Sequence, residues 1–79
     1  MKSIHDPRYF LLIELLKSSR DRVRVTQVEL AQRLEKPQSY VAKVENLERR
    51  LDVVELVDWL RAIGEKPENF FKLVTWWSE

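Results

Sequence analysis

Cysteine is absent from the 79 residues, which excludes disulfides, thiol nucleophiles and thiolate metal sites. Histidine occurs once, at His5, with no carboxylate cluster beside it, so a solvated side chain is expected rather than a metal ligand or a catalytic base. No Gly-rich loop could cradle a phosphate, and nothing pairs a nucleophile with a base. These gaps predict a protein that is not an enzyme, with no catalytic residues, no metal, no cofactor and no small-molecule ligand. No apolar run approaches the ~20 residues that a membrane-spanning helix needs. Met1 to Asp6 carry no apolar stretch of signal-peptide length, so a soluble, cytoplasmic protein without a membrane partner is expected. A chain this short has room for one domain over 1–79 and one modest core, and burial against a second subunit would help it.

Net charge is scarce too, at +1, but its distribution is uneven. Lys17 to Arg50 holds nine Lys or Arg against five Asp or Glu, whereas Leu51 to Glu79 holds three against six. The central third is therefore basic and the last third acidic, which suits one face turned to phosphates and another turned elsewhere.

One glycine and three prolines leave few breaks, and the apolar spacing is helical almost throughout. Asp6-Pro7 opens a first helix carrying Phe10, Leu11, Ile13, Leu15 and Leu16 and ending in the polar run Lys17 to Arg22. Val23-Arg24-Val25 reads as an extended connector. Thr26-Gln27-Val28-Glu29 has the form of a capping box, starting a helix to about Glu35 with Val28, Leu30, Ala31 and Leu34 inward. Lys36-Pro37 breaks that helix, and a third runs from Gln38 to about Asn46 with Val41 and Val44 apolar. Asp52-Val53-Val54-Glu55 starts a fourth, whose stripe is Val53, Leu56, Val57, Leu60 and Ile63, and Gly64 ends it. Pro67 opens a fifth bearing Phe70, Phe71, Leu73, Val74, Trp76 and Trp77. The expected fold class is all-α, a compact bundle of five short helices.

The segment Gln27 to Asn46 carries the functional signal. Two short helices joined by so brief a break suit a steep crossing, and Ala31 stands where the second helix must pass closely. The free side of that second helix then holds Gln38, Ser39, Tyr40, Ala42 and Lys43. Gln suits adenine N6 and N7, Lys suits guanine O6 and N7, and Ser serves either role. Gln38 and Ser39 lie at the helix N-terminus, where recognition helices touch base edges.

Thr26-Gln27, Glu29-Leu30-Ala31, Leu34, Gln38 to Val41, Lys43 to Asn46 and Glu48 to Leu51 together resemble the Cro/repressor-type, or XRE-family, helix-turn-helix domain, the lambda repressor-like fold. The likeness covers roughly residues 8 to 72. It implies a five-helix domain that binds double-stranded DNA as a sequence-specific regulator, most simply a repressor, and as a homodimer on a palindromic operator. Carried over by position, Gln27 would bond a phosphate from the first helix of the motif. Gln38, Ser39 and Lys43 would read base edges, and Tyr40 would lean on the sugar-phosphate backbone or a thymine methyl. Asn46, Arg49 and Arg50 would meet flanking phosphates, with Lys36 nearby, whereas Glu45 would be structural. Arg20, Arg22, Arg24 and Arg33 are expected on a solvated surface. The family's turns often carry glycine where this chain has Arg24, Glu35 and Leu47, so those turns must close differently or with strain.

The C-terminal helices, 52–77, supply the second cluster. Trp59, Ile63, Phe70, Phe71, Val74, Trp76 and Trp77 are more apolar surface than a small domain easily hides, and they are expected to form a homodimer seam. The alternative is a protein-interaction or antitoxin-like module in which the helix-turn-helix is a scaffold and the aromatic C-terminus docks a protein partner.

Overall fold

The computed structural model describes residues 5–75. Asp6 accepts a hydrogen bond from the Arg8 N–H and Pro7 occupies the first turn, so α1 starts where its cap dictates and covers Pro7–Arg22. Thr26 with Glu29 and Asp52 with Glu55 form complete capping boxes at the starts of α2 (Gln27–Leu34) and α4 (Val53–Ala62). Between them lies α3 (Gln38–Glu45), and α5 (Pro67–Phe71) is a single short turn behind Pro67. Among the described residues there is no strand. The all-α, five-helix expectation holds.

Four of these helices end in the same way. The chain enters the left-handed region at Arg24 (φ 61°), Glu35 (φ 58°), Leu47 (φ 64°) and Gly64 (φ 80°). At each site two N–H groups reach back to orphan carbonyls: Arg24 to Asp21 and Val25 to Arg20, Glu35 to Gln32 and Lys36 to Ala31, Leu47 to Val44 and Glu48 to Lys43, Gly64 to Arg61 and Glu65 to Leu60. This paired closure is the Schellman motif, which glycine enters without cost and an L-residue enters under strain. The turns that lack glycine are therefore closed in the glycine manner, with the strain retained.

The core is drawn from all five helices. Ile13 and Leu16 of α1, Leu30 and Ala31 of α2, Val41 and Val44 of α3, Leu56, Trp59 and Leu60 of α4, and Phe70 of α5 are all buried. Tyr9, Val25, Leu51, Ile63 and Val74 close its edges. Arg33 donates to the Ala62 carbonyl at 2.8 Å, and Arg22 meets Glu65 at 3.0 Å, tying α2 and α1 to the end of α4.

Three expectations fail. Val28 and Val53 point outward, 53% and 72% exposed, because each stands in the first turn beside its cap, and the buried stripe begins at Leu30 and Leu56. The expected extended connector Val23-Arg24-Val25 is instead the closing turn of α1, with Arg24 left-handed, and in the last turns of that helix Ser19 is fully buried and Arg20 half-buried. The Ser19 hydroxyl has no hydrogen-bond partner among the described residues, and nothing in the structure explains it. Finally, α5 stops at Phe71. A turn follows in which Leu73 is exposed and Val74 folds back into the core. Trp76 and Trp77 lie outside the described residues.

Candidate nucleic-acid interface

Presentation of α3 begins with the break before it. The left-handed Glu35 reverses the chain, Pro37 holds an extended conformation (φ −68°, ψ 152°), and α3 sets off across α2. Val41 and Val44 are fully buried, which rolls Gln38, Ser39, Lys43 and Asn46 into solvent on the opposite side. Lys43 and Lys36 are exposed, and neither makes an ion pair among the described residues.

Beneath α3 runs a hydrogen-bonded chain to the first helix. The Arg20 guanidinium donates from Nε to Glu45 Oε2 at 2.7 Å and from Nη2 to Glu45 Oε1 at 2.9 Å. A third donor reaches the Val25 carbonyl at 2.8 Å. This pairing raises the Arg20 pKa further above its ordinary value, so the charge is fixed. Gln27 Nε2 donates to the same Glu45 Oε1 at 2.9 Å, and its own oxygen accepts from Gln38 Nε2 at 2.7 Å. Arg20 is therefore not part of a solvated surface as expected, since it pairs with the buried Glu45. Gln27 and Gln38, placed at the DNA by sequence, are joined to each other across the break, and the join fixes the first turn of α3.

A helix-turn-helix family model matches residues 16–70. Among solved structures, an XRE-family like protein from Pseudomonas syringae pv. tomato str. DC3000 superposes with a TM-score of 0.87 at 44% sequence identity, covering 98% of this chain and 94% of that one. No curated protein matches. The chain belongs to the XRE family of helix-turn-helix proteins. That family is one of DNA-binding regulators, not of enzymes.

Within this XRE-family chain the remaining expected site residues divide. Tyr40 is half-buried, its ring edge-on to Trp59 at 6.1 Å between centroids, with its hydroxyl 3.4 Å from the Trp59 indole nitrogen. Two cations lie over the Tyr40 ring, Lys36 Nζ at 5.4 Å and the Arg49 guanidinium at 4.8 Å. Arg49 is held by Glu55 through a forked pair at 3.1 and 3.0 Å. The hydrogen bond from Arg49, reinforced by the Asp52 N–H, lowers the Glu55 pKa below its ordinary value. Arg50 has no ion pair among the described residues and stacks instead over the Tyr9 ring at 4.8 Å. The two neighbouring arginines, equivalent by sequence, thus differ in structure.

The expected dimer seam is redistributed as well. Trp59 (1% exposed), Ile63, Phe70 and Val74 are buried within their own chain, so these four are core rather than seam. Phe71 is half-buried and packs edge-on against Phe70 at 5.6 Å. The exposed apolar residues include Val53, Val54 and Leu73 instead. Sequence reasoning missed Arg20 and Tyr9 as parts of the site's support, and the resemblance gave Glu45 a structural role without naming its partners. The pairs Arg20–Glu45 and Tyr9–Leu51 join positions 25 and 42 apart, and no local signal announces them.

Proposed function

We propose that this protein is a homodimeric transcriptional repressor of the cytoplasm that reads a palindromic operator by placing α3 in the major groove. The observation that carries this reading is the outward row of α3. Gln38, Ser39, Lys43 and Asn46 are hydrogen-bonding residues on a helix whose other face is buried, and the row lacks the mixed charges of an ordinary solvated face. Gln38, Ser39 and Lys43 read base edges, while Asn46, Lys36 and Arg50 meet phosphates. Tyr40 and Arg49 stand at the rim, where each already has protein partners, and Gln27 supports Gln38 from α2. Two-fold symmetry would set the two α3 helices ~34 Å apart, one turn of DNA. Occupancy of the operator would then block polymerase.

The test is selection of the purified protein against a random double-stranded DNA library at near-physiological salt, with Lys43→Ala in parallel. Enrichment of a palindrome is expected, with preference at one base pair relaxed in the mutant at a cost of about 1–3 kcal/mol on the parent site. If nothing is enriched and Lys43→Ala binds like the parent, the α3 face is not a reading head.

A further inference from the structure

Arg50 is placed as a phosphate contact, yet it sits in an irregular stretch between α3 and α4, where a long side chain would normally sample many rotamers. The structure removes much of that freedom, and it does so from α1. The Tyr9 ring lies 4.8 Å from the Arg50 guanidinium carbon, giving the cation an aromatic face to rest on. The Tyr9 hydroxyl accepts a hydrogen bond from the Leu51 N–H at 3.0 Å. The carbonyl of the same peptide unit, that of Arg50, accepts from the Arg49 guanidinium at 3.0 Å. Both polar groups of the 50–51 peptide are therefore held, one by Tyr9 and one by Arg49. Arg49 is in turn fixed by its fork to Glu55. Tyr9 itself is 7% exposed, so its ring is set by the core.

We propose that Tyr9 is a positioning residue for DNA binding, which holds the Arg50 guanidinium and its backbone ready for a phosphate. This assignment rests on the DNA-binding reading above and adds to it a residue of α1, outside the helix-turn-helix. A preset cation loses less side-chain entropy when it binds. Arg49 and Glu55 have the complementary role of bracing the loop, so the pair divides into one arginine that braces and one that binds.

The experiment is a double-mutant cycle of Tyr9 against Arg50, read as affinity for a mixed-sequence DNA duplex over a range of salt concentrations, with circular dichroism confirming the fold. Arg50→Ala should lower the slope of log affinity against log salt by ~0.9, one released counterion. Tyr9→Leu should weaken binding roughly two- to fivefold, the span of an exposed cation–π contact. In the Arg50→Ala background that loss should vanish, which a merely structural role would not produce. Tyr9→Phe keeps the ring and its volume but frees the 50–51 peptide. It should show a smaller loss, again absent without Arg50, and it decides the matter if Tyr9→Leu does not fold. Losses that persist undiminished in the Arg50→Ala background, or Tyr9 variants that bind like the parent, overturn the assignment alone. Failure of the parent protein to bind the duplex overturns the DNA reading and this assignment together.

Discussion

The unusual residues are those at φ near +60°. Arg24, Glu35 and Leu47 each hold a conformation that costs an L-residue about 1 kcal/mol or more relative to glycine. Glycine relieves this but gains freedom in the unfolded chain, so the net change depends on what the side chain does when folded. Glu35 is exposed and makes no side-chain hydrogen bond among the described residues, so Glu35→Gly should stabilise the protein by up to about 1 kcal/mol. Leu47 packs against the core, and Leu47→Gly removes that contact along with the strain. It should be destabilising by about 1 kcal/mol or more, since burial of a leucine outweighs the backbone term. Urea midpoints of the two variants should therefore move in opposite directions, and movement in the same direction would show that strain or packing alone decides these turns. The sequence marked all three positions as turns without glycine. It could not tell strain from a different closure, because that depends on where the returning N–H groups find carbonyls.

Between elements, the site depends on how α3 is seated. The starts of α2 and α4 were legible because a capping box lies within four residues, and all its physics is local. The seat of α3 was not legible, because Arg20 and Glu45 belong to different helices. Glu45→Ala would leave a half-buried guanidinium and the Gln27 amide without their acceptor. A loss of about 3 kcal/mol is expected, a large share of the stability of so small a chain, and urea unfolding measures it. Replacing Arg20 and Glu45 together by apolar residues should cost less than Glu45→Ala alone. The second brace, Arg49 with Glu55, shows itself through pH. The folded state lowers the Glu55 pKa below its unfolded value of about 4.3, so this contribution is present above that value and disappears as pH falls through the lower, folded one. Glu55→Gln should therefore be less stable than the parent at neutral pH, with the gap closing as the solution is acidified below pH ~4. A gap that is constant with pH would mean that the brace acts through packing.

At the scale of the whole molecule, the question is whether the chain would need the proposed second copy in order to fold. The aromatic excess at the C-terminus suggested a seam, but the sequence could not show that a turn after Phe71 brings Val74 back under the core while Trp59 and Phe70 fill its centre. With these side chains inside, the radius of gyration is 12.1 Å, near the ~12 Å of a folded chain of this length. The surface left for a second copy, including Val53, Val54 and Leu73, is apolar but exposed on a core that is already closed. Folding is therefore expected to precede dimerisation, and operator DNA would bring the two copies together. Mass action gives the test, since a fold that depends on its dimer loses stability on dilution and a self-sufficient one does not. The thermal midpoint of the free protein should stay constant over roughly a hundredfold dilution, whereas binding to a two-half-site operator should be steeper than to one half-site. A midpoint that falls with dilution would return the seam to the folding core. It would also make the dimer, rather than the single chain, the unit that presents α3 to DNA.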